Sequence, residues 1–179
     1  MSYEAIETIE HAGMVIEIHR DHDPESPREW CNLGTMICNH RRYNLGDVKG
    51  NGDDVPEGAI TLPLYLYDHS GITISTSPFS CTCDSGMVGM IYCTREKAIK
   101  EFGGKILTKK IREKVIKCLM NEVEVYDQYL QGDVYGYVIK DEEGNELESC
   151  WGFFGMDHVK EEAKSQAEHC AKSSLSYAI

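Results

Sequence analysis

Residues 62–93, LPLYLYDHSGITISTSPFSCTCDSGMVGMIYC, carry the strongest strand signal in the chain and contain no Lys or Arg. From Ile60 to Tyr67 the pattern has a period of two. Leu62, Leu64 and Leu66 fall on one face and Pro63, Tyr65 and Tyr67 on the other, as a half-buried strand requires. Asp68-His69-Ser70-Gly71 has the composition of a hairpin turn, and Ile72–Thr76 is rich in β-branched residues, so it reads as the returning strand. A third strand, Met87–Cys93, follows a loop built on Pro78 and Asp84-Ser85-Gly86. Connections this short pair strands antiparallel, because a parallel pair needs a longer crossover.

Downstream of this sheet the pattern turns helical. Thr94 is placed to cap REKAIKEF, with Gly103-Gly104 as the stop. From Thr108 to Leu130 apolar residues recur at Ile111, Val115, Leu119, Val123, Tyr126 and Leu130, which predicts a long helix with one buried stripe. Its early half is basic and its late half acidic, an order opposed to the helix dipole, so packing has to hold it. Val134–Ile139 and Glu146–Trp151 read as a hairpin around the acidic turn Asp141-Glu142-Glu143-Gly144-Asn145. Asp157 is expected to cap a last helix with Val159, Ala163, Ala167 and Cys170 along one side.

Upstream, Gly13–His19 reads as a strand that ends in the turn chemistry of Asp21-His22-Asp23-Pro24. Ser26 followed by Pro27 and Glu29 predicts a helical turn or two running towards Cys38. Residues 44–58, NLGDVKGNGDDVPEG, with four glycines, are expected as a mobile surface loop. The fold expected is α+β: one domain over residues 1–179, with one core and a central antiparallel sheet that carries its helices on one face.

The chain has 179 residues, 41% of them hydrophobic, enough for one sizeable core. It has no long apolar run, and the start MSYEAIETIEHAG is acidic where a secretory signal would be basic, so a cytoplasmic protein with no membrane contact is expected. The eight cysteines include no C-x-x-C pair, which argues against a zinc ribbon and for reduced thiols. The net charge is −12. Residues 1–59 hold five basic against twelve acidic side chains and residues 132–179 four against ten, whereas residues 94–131 hold nine against six. Such a balance disfavours direct nucleic-acid binding, which is driven by counterion release against Lys and Arg, and suits a basic partner.

Asp68, His69, Ser70, Ser80, Cys81, Cys83, Asp84 and Ser85 offer acid, base and nucleophile types, but no G-x-S-x-G elbow is present, and Asp, Ser and Gly at strand ends are what tight turns need. A metal set from His69, Cys81 and Cys83 with His40 or Asp84 has suitable ligand types without the usual knuckle spacing. The expectation is therefore no catalytic residue, no metal and no cofactor.

The segments PLYLYDHSGITISTSPFSC, DSG, GMIY, YDQYLQGDVYGYVI and ESCWGFFG resemble a family carried by phages, plasmids and integrated elements of Firmicutes, over roughly residues 62–155. Where that family is expected to read C-P-W-D-S-G-Q-V-G, this chain has Cys81-Thr82-Cys83-Asp84-Ser85-Gly86-Met87-Val88-Gly89. The resemblance assigns no catalytic residue. It implies a non-enzymatic inhibitor of a host defence nuclease, of the anti-CRISPR or antirestriction kind, with the type II RNA-guided nuclease as the first target. An acidic surface can occupy the positively charged channel in which such nucleases hold nucleic acid. The exposed carboxylates Asp53 and Asp54, and Asp141, Glu142 and Glu143, are the expected contacts. The alternative is a small enzyme or metal-binding accessory protein built on the Asp68–Asp84 stretch.

Overall fold

The computed structural model describes residues 4–81 and 83–176. Thr82, between the two cysteines of the expected loop, lies outside the described residues, as do the first three residues of the acidic start. The fold is α+β, with three helices and nine strands among the described residues. The strands lie in two sheets instead of one, and the single core expected from length divides into two clusters, each inside its own compact unit.

One unit is formed by the residues up to Glu25 together with those from Gly132 onward. Its antiparallel sheet has the order β1 (Glu7–His11), β2 (Met14–Arg20), β8 (Val134–Lys140), β9 (Glu146–Phe154). The β1–β2 hairpin closes on Ala12 and Gly13, both with positive φ, as a two-residue turn matched to strand twist demands. Ile16, Ile18, Tyr135, Tyr137 and Ile139 alternate onto one face and are buried against Val159, Ala163 and Ala167 of α3 (Met156–Ser176). The expected stripe on that helix is therefore its packed face. Asp157 sits inside its first turn instead of capping it, and the Gly155 carbonyl accepts from the Val159 N–H.

The other unit runs from Ser26 to Gln131. Its sheet has the order β4 (Val48–Lys49), β3 (Thr35–Cys38), β7 (Ser85–Cys93), β5 (Ile60–Asp68), β6 (Ile72–Ser75); β3 and β4 run parallel and the other pairs antiparallel. The three strands expected in the 62–93 stretch are thus neighbours, with β7 in the middle of the sheet. Register slips between Leu64 and Tyr65, where Leu64 faces Gly89 and Tyr65 faces Met87. Val88 is the extra residue of this bulge and is buried. On one face lies α2 (Lys109–Gln131), whose Ile111, Val115, Leu119, Val123 and Tyr126 pack on Met36, Leu64, Leu66, Ile74 and Ile91. The short α1 (Arg95–Phe102) has Thr94 as its cap, its hydroxyl accepting from the Lys97 N–H, and buries Ala98.

Two expectations in this unit are corrected. After Ser26, whose hydroxyl accepts from the Arg28 N–H, only one 3-10 turn forms, Pro27–Glu29, and the chain then enters β3. Residues 44–58 are in part packed: Leu45 is buried, the Gly46 N–H donates to the Tyr126 hydroxyl at 3.1 Å, and Val48–Lys49 joins the sheet.

Candidate functional site

Turn chemistry places the acidic residues. Asp141 opens the β8–β9 turn and accepts from the backbone N–H groups of Glu143 and Asn145 and from the Asn145 amide, at 2.8–2.9 Å. These bonds, the Asn145 amide first, hold the Asp141 carboxyl below the usual carboxylate range. Glu142 and Glu143 are exposed, and Glu142 lines a concavity of about 430 Å³ with Glu10, His11 and Met14 from the β1–β2 hairpin. Asp53 and Asp54 belong to the other unit, on an exposed 3-10 turn, Gly52–Asp54. There Asp54 accepts from the Asn51 N–H at 2.9 Å and organises its own loop. Of the expected contacts, Glu142 and Glu143 are projected by the fold while Asp141 and Asp54 frame turns.

The residues of the 62–93 stretch partly converge. His69 Nδ1 lies 3.3 Å from Asp84 Oδ2, with both side chains well exposed. The Asp68 N–H donates to the Asp84 carbonyl at 2.8 Å, so the end of β5 and the loop before β7 are tied side by side. The Asp68 carboxylate takes the Arg42 guanidinium and, at 3.2 Å, the Tyr43 hydroxyl. Ser70 is a turn residue with φ of 58°, and the Ser85 hydroxyl donates to the Cys81 carbonyl. Cys81 and Cys83 are exposed. Among the described residues no group of three or more His, Cys, Asp or Glu side chains could hold a metal ion.

Sequence reasoning weighed His40 only as a metal ligand and passed over its neighbours Arg41 and Arg42, between β3 and β4. The imidazole stacks on Tyr43 with centroids 5.1 Å apart, and its Nδ1 accepts from the N–H groups of Arg42 and Tyr43 at 3.3 Å, which leaves the ring proton on Nε2. The Arg42 guanidinium lies over the same tyrosine, 5.4 Å from its centroid. Adjacent basic residues in a segment with more than twice as many acids as bases were the signal available.

A second cation is wholly structural. The Arg28 side chain, 6% exposed, donates Nε and Nη2 to Asp47 at 2.9 and 2.6 Å, Nη1 to Glu122 at 3.1 Å and Nη2 to the Gly34 carbonyl at 2.9 Å. Burial works against its charge and the two carboxylates outweigh that, so its pKa stands above the ordinary arginine value.

No family model matches the chain, and comparisons with curated proteins and with solved structures gave no match. No helix among the described residues is long and apolar enough to cross a membrane.

Proposed function

We propose that the chain is a stoichiometric inhibitor of a host defence nuclease, the type II RNA-guided nuclease first, that binds the basic nucleic-acid channel of its target through carboxylates and without turnover. The observation that supports this most is the framed turn at Asp141. Its oxygens fix the backbone, so Glu142 and Glu143 stand out from the hairpin end beside Glu10 with little ordering left to do on binding. Asp53 is an exposed carboxylate of the other unit. Steering by such charges weakens as the Debye length falls from about 10 Å at 0.1 M salt to about 3 Å at 1 M. In a cleavage assay with increasing protein, inhibition should saturate near one inhibitor per nuclease, weaken with salt, and be relieved about tenfold or more by Glu142→Lys with Glu143→Lys. Cleavage untouched at large molar excess across RNA-guided and restriction nucleases, with none captured in a pull-down, rejects the proposal.

A second reading is an enzyme, favoured by the pairing of His69 with Asp84, since a carboxylate on Nδ1 orients an imidazole as a general base. An enzyme would act at substoichiometric amounts and lose its effect in His69→Ala.

A further inference from the structure

Although the net charge is −12, the loop between β3 and β4 presents cations around a concave surface. Two adjoining concavities, of about 380 and 210 Å³, share His40, Arg41 and Arg42 as a common wall. The smaller is closed on its other side by Asn44 and Lys49, and no carboxylate is among its lining residues. The larger is bounded opposite the arginines by Asp68 and Asp84. Arg41 and Lys49 have no ion-pair partner among the described residues, whereas Arg42 is held by Asp68.

The loop is pre-organised at both ends. The Asn39 N–H donates to the Val88 carbonyl at 2.8 Å, the Asp47 N–H to the Met36 carbonyl at 2.9 Å, and Leu45 is buried between them in sequence. The backbone that carries the donors is therefore fixed before any ligand arrives: it bears two guanidinium groups, an ammonium, and the Nε2–H that the His40 tautomer directs away from its own backbone. Planar guanidinium groups match the paired oxygens of a phosphate, and a backbone already anchored leaves only the side chains to be ordered on binding.

We propose that this loop is a binding site for a small phosphorylated ligand, a nucleoside or sugar phosphate. The phosphate lies in the smaller, carboxylate-free concavity on Arg41, Arg42, His40 and Lys49, and the hydroxyl-bearing remainder extends into the larger one, where Asp68 and Asp84 accept hydrogen bonds. The division follows from charge, because carboxylates repel phosphate and accept from hydroxyls. It follows also from size, because about 210 Å³ is below the roughly 300–1,000 Å³ of a site that encloses a whole small molecule. Asp68 then has a second role, as the internal counter-ion that the ligand phosphate displaces from Arg42.

The test is calorimetric titration of the full chain at fixed salt with pyrophosphate, ADP, ribose 5-phosphate and adenosine. Pyrophosphate and at least one of the two phosphate esters should bind one to one and adenosine should not; ADP over ribose 5-phosphate identifies a nucleotide, the reverse a sugar phosphate. Arg41→Ala and Lys49→Ala, which remove exposed side chains without an ion-pair partner, should each weaken binding by about tenfold, the scale of one charged hydrogen bond. Asp68→Asn, which releases Arg42, should strengthen binding of pyrophosphate. Lys110→Ala, on the exposed basic face of α2, should leave it unchanged. No saturable binding of any phosphate up to about 10 mM overturns the proposal; so does equal loss in Lys110→Ala, which would mean attraction to charge in general, or indifference to Arg41→Ala and Lys49→Ala together. None of these outcomes depends on nuclease inhibition.

Discussion

Arg28 shows how one residue can hold distant pieces of a unit together. Its guanidinium joins Asp47, Glu122 and the Gly34 carbonyl, while Glu122 also accepts from the N–H groups of Leu33 and Gly34 and Asp47 from that of Met36. The entry to β3, the return to β4 and the middle of α2 are thereby fixed to one charge. A buried pair broken on one side leaves the other charge unsolvated, which costs about 3–5 kcal/mol. Glu122→Gln and Arg28→Met should each lower stability by that order in urea denaturation, and the double variant by clearly less than the two losses added. Additive losses would mean that the pair is not coupled. The sequence gives no local hint of this node, because Arg28 and Glu122 are 94 residues apart and each is unremarkable in its own segment. The same holds at the candidate site. Asp68 and Asp84 were visible as chemistry-bearing residues, but Arg42 and Tyr43 come to Asp68 only through the pairing of β3 with β7.

At the scale of elements, β7 is the strand on which its sheet depends, and Gly89 is where it meets β3. A Cβ built there would stand 1.9 Å from the Ile37 carbonyl oxygen, whereas one at Gly86 on the same strand would meet nothing within 4 Å. Gly89→Ala should cost about 1–3 kcal/mol or more through forced separation of the strands, and Gly86→Ala should stay within about 0.5 kcal/mol of the parent. Thermal denaturation of the two variants checks this, and equal midpoints would contradict it. Elements with a clean period were legible: β5 by its alternating leucines, α2 by its stripe, α1 by its Thr94 cap. The three strands that were missed lack that signal for different reasons, and β4, only the two residues Val48–Lys49, is too short to show a period at all. In β3, Met36, Ile37 and Cys38 are buried consecutively, so both faces are apolar and no alternation exists. In β1, ETIEH has two acids among five residues and its hairpin closes on Ala-Gly instead of an Asn-Gly or Asp-Gly pair.

At the scale of the whole molecule, the buried acids set the alkaline limit. Burial pushes the Cys38 thiol up to about 12 and raises Cys93 and Tyr126 in the same direction. A folded-state pKa above the unfolded value favours the neutral group, so this contribution is complete below the ordinary thiol pKa of about 8.5 and is lost as pH rises from there towards 12. Glu17 acts at the other end. Its hydrogen bond from Lys140 lowers its pKa, so its contribution is lost only as pH falls below the model-peptide range near 4. The urea midpoint should therefore be nearly level between about pH 5 and 8 and fall towards pH 10.5, and Cys38→Ala, though less stable at neutral pH, should show a shallower alkaline fall. Parallel alkaline limbs in the two proteins would rule out the thiol as the cause. The order of the predicted elements led to the α+β class, but length and composition did not lead to the division of the core, because hydrophobic content measures how much can be buried and not into how many clusters.

That division is also nested along the chain, since the Ser26–Gln131 unit is continuous and interrupts the other. On the ribosome the inner unit has all its strands before β8 is made. The β1–β2 hairpin has to wait for a partner strand that arrives over a hundred residues later, as the Glu17 to Lys140 contact, 123 residues apart, records. The order of synthesis thus makes the inner unit the first to fold and leaves the outer sheet to close last.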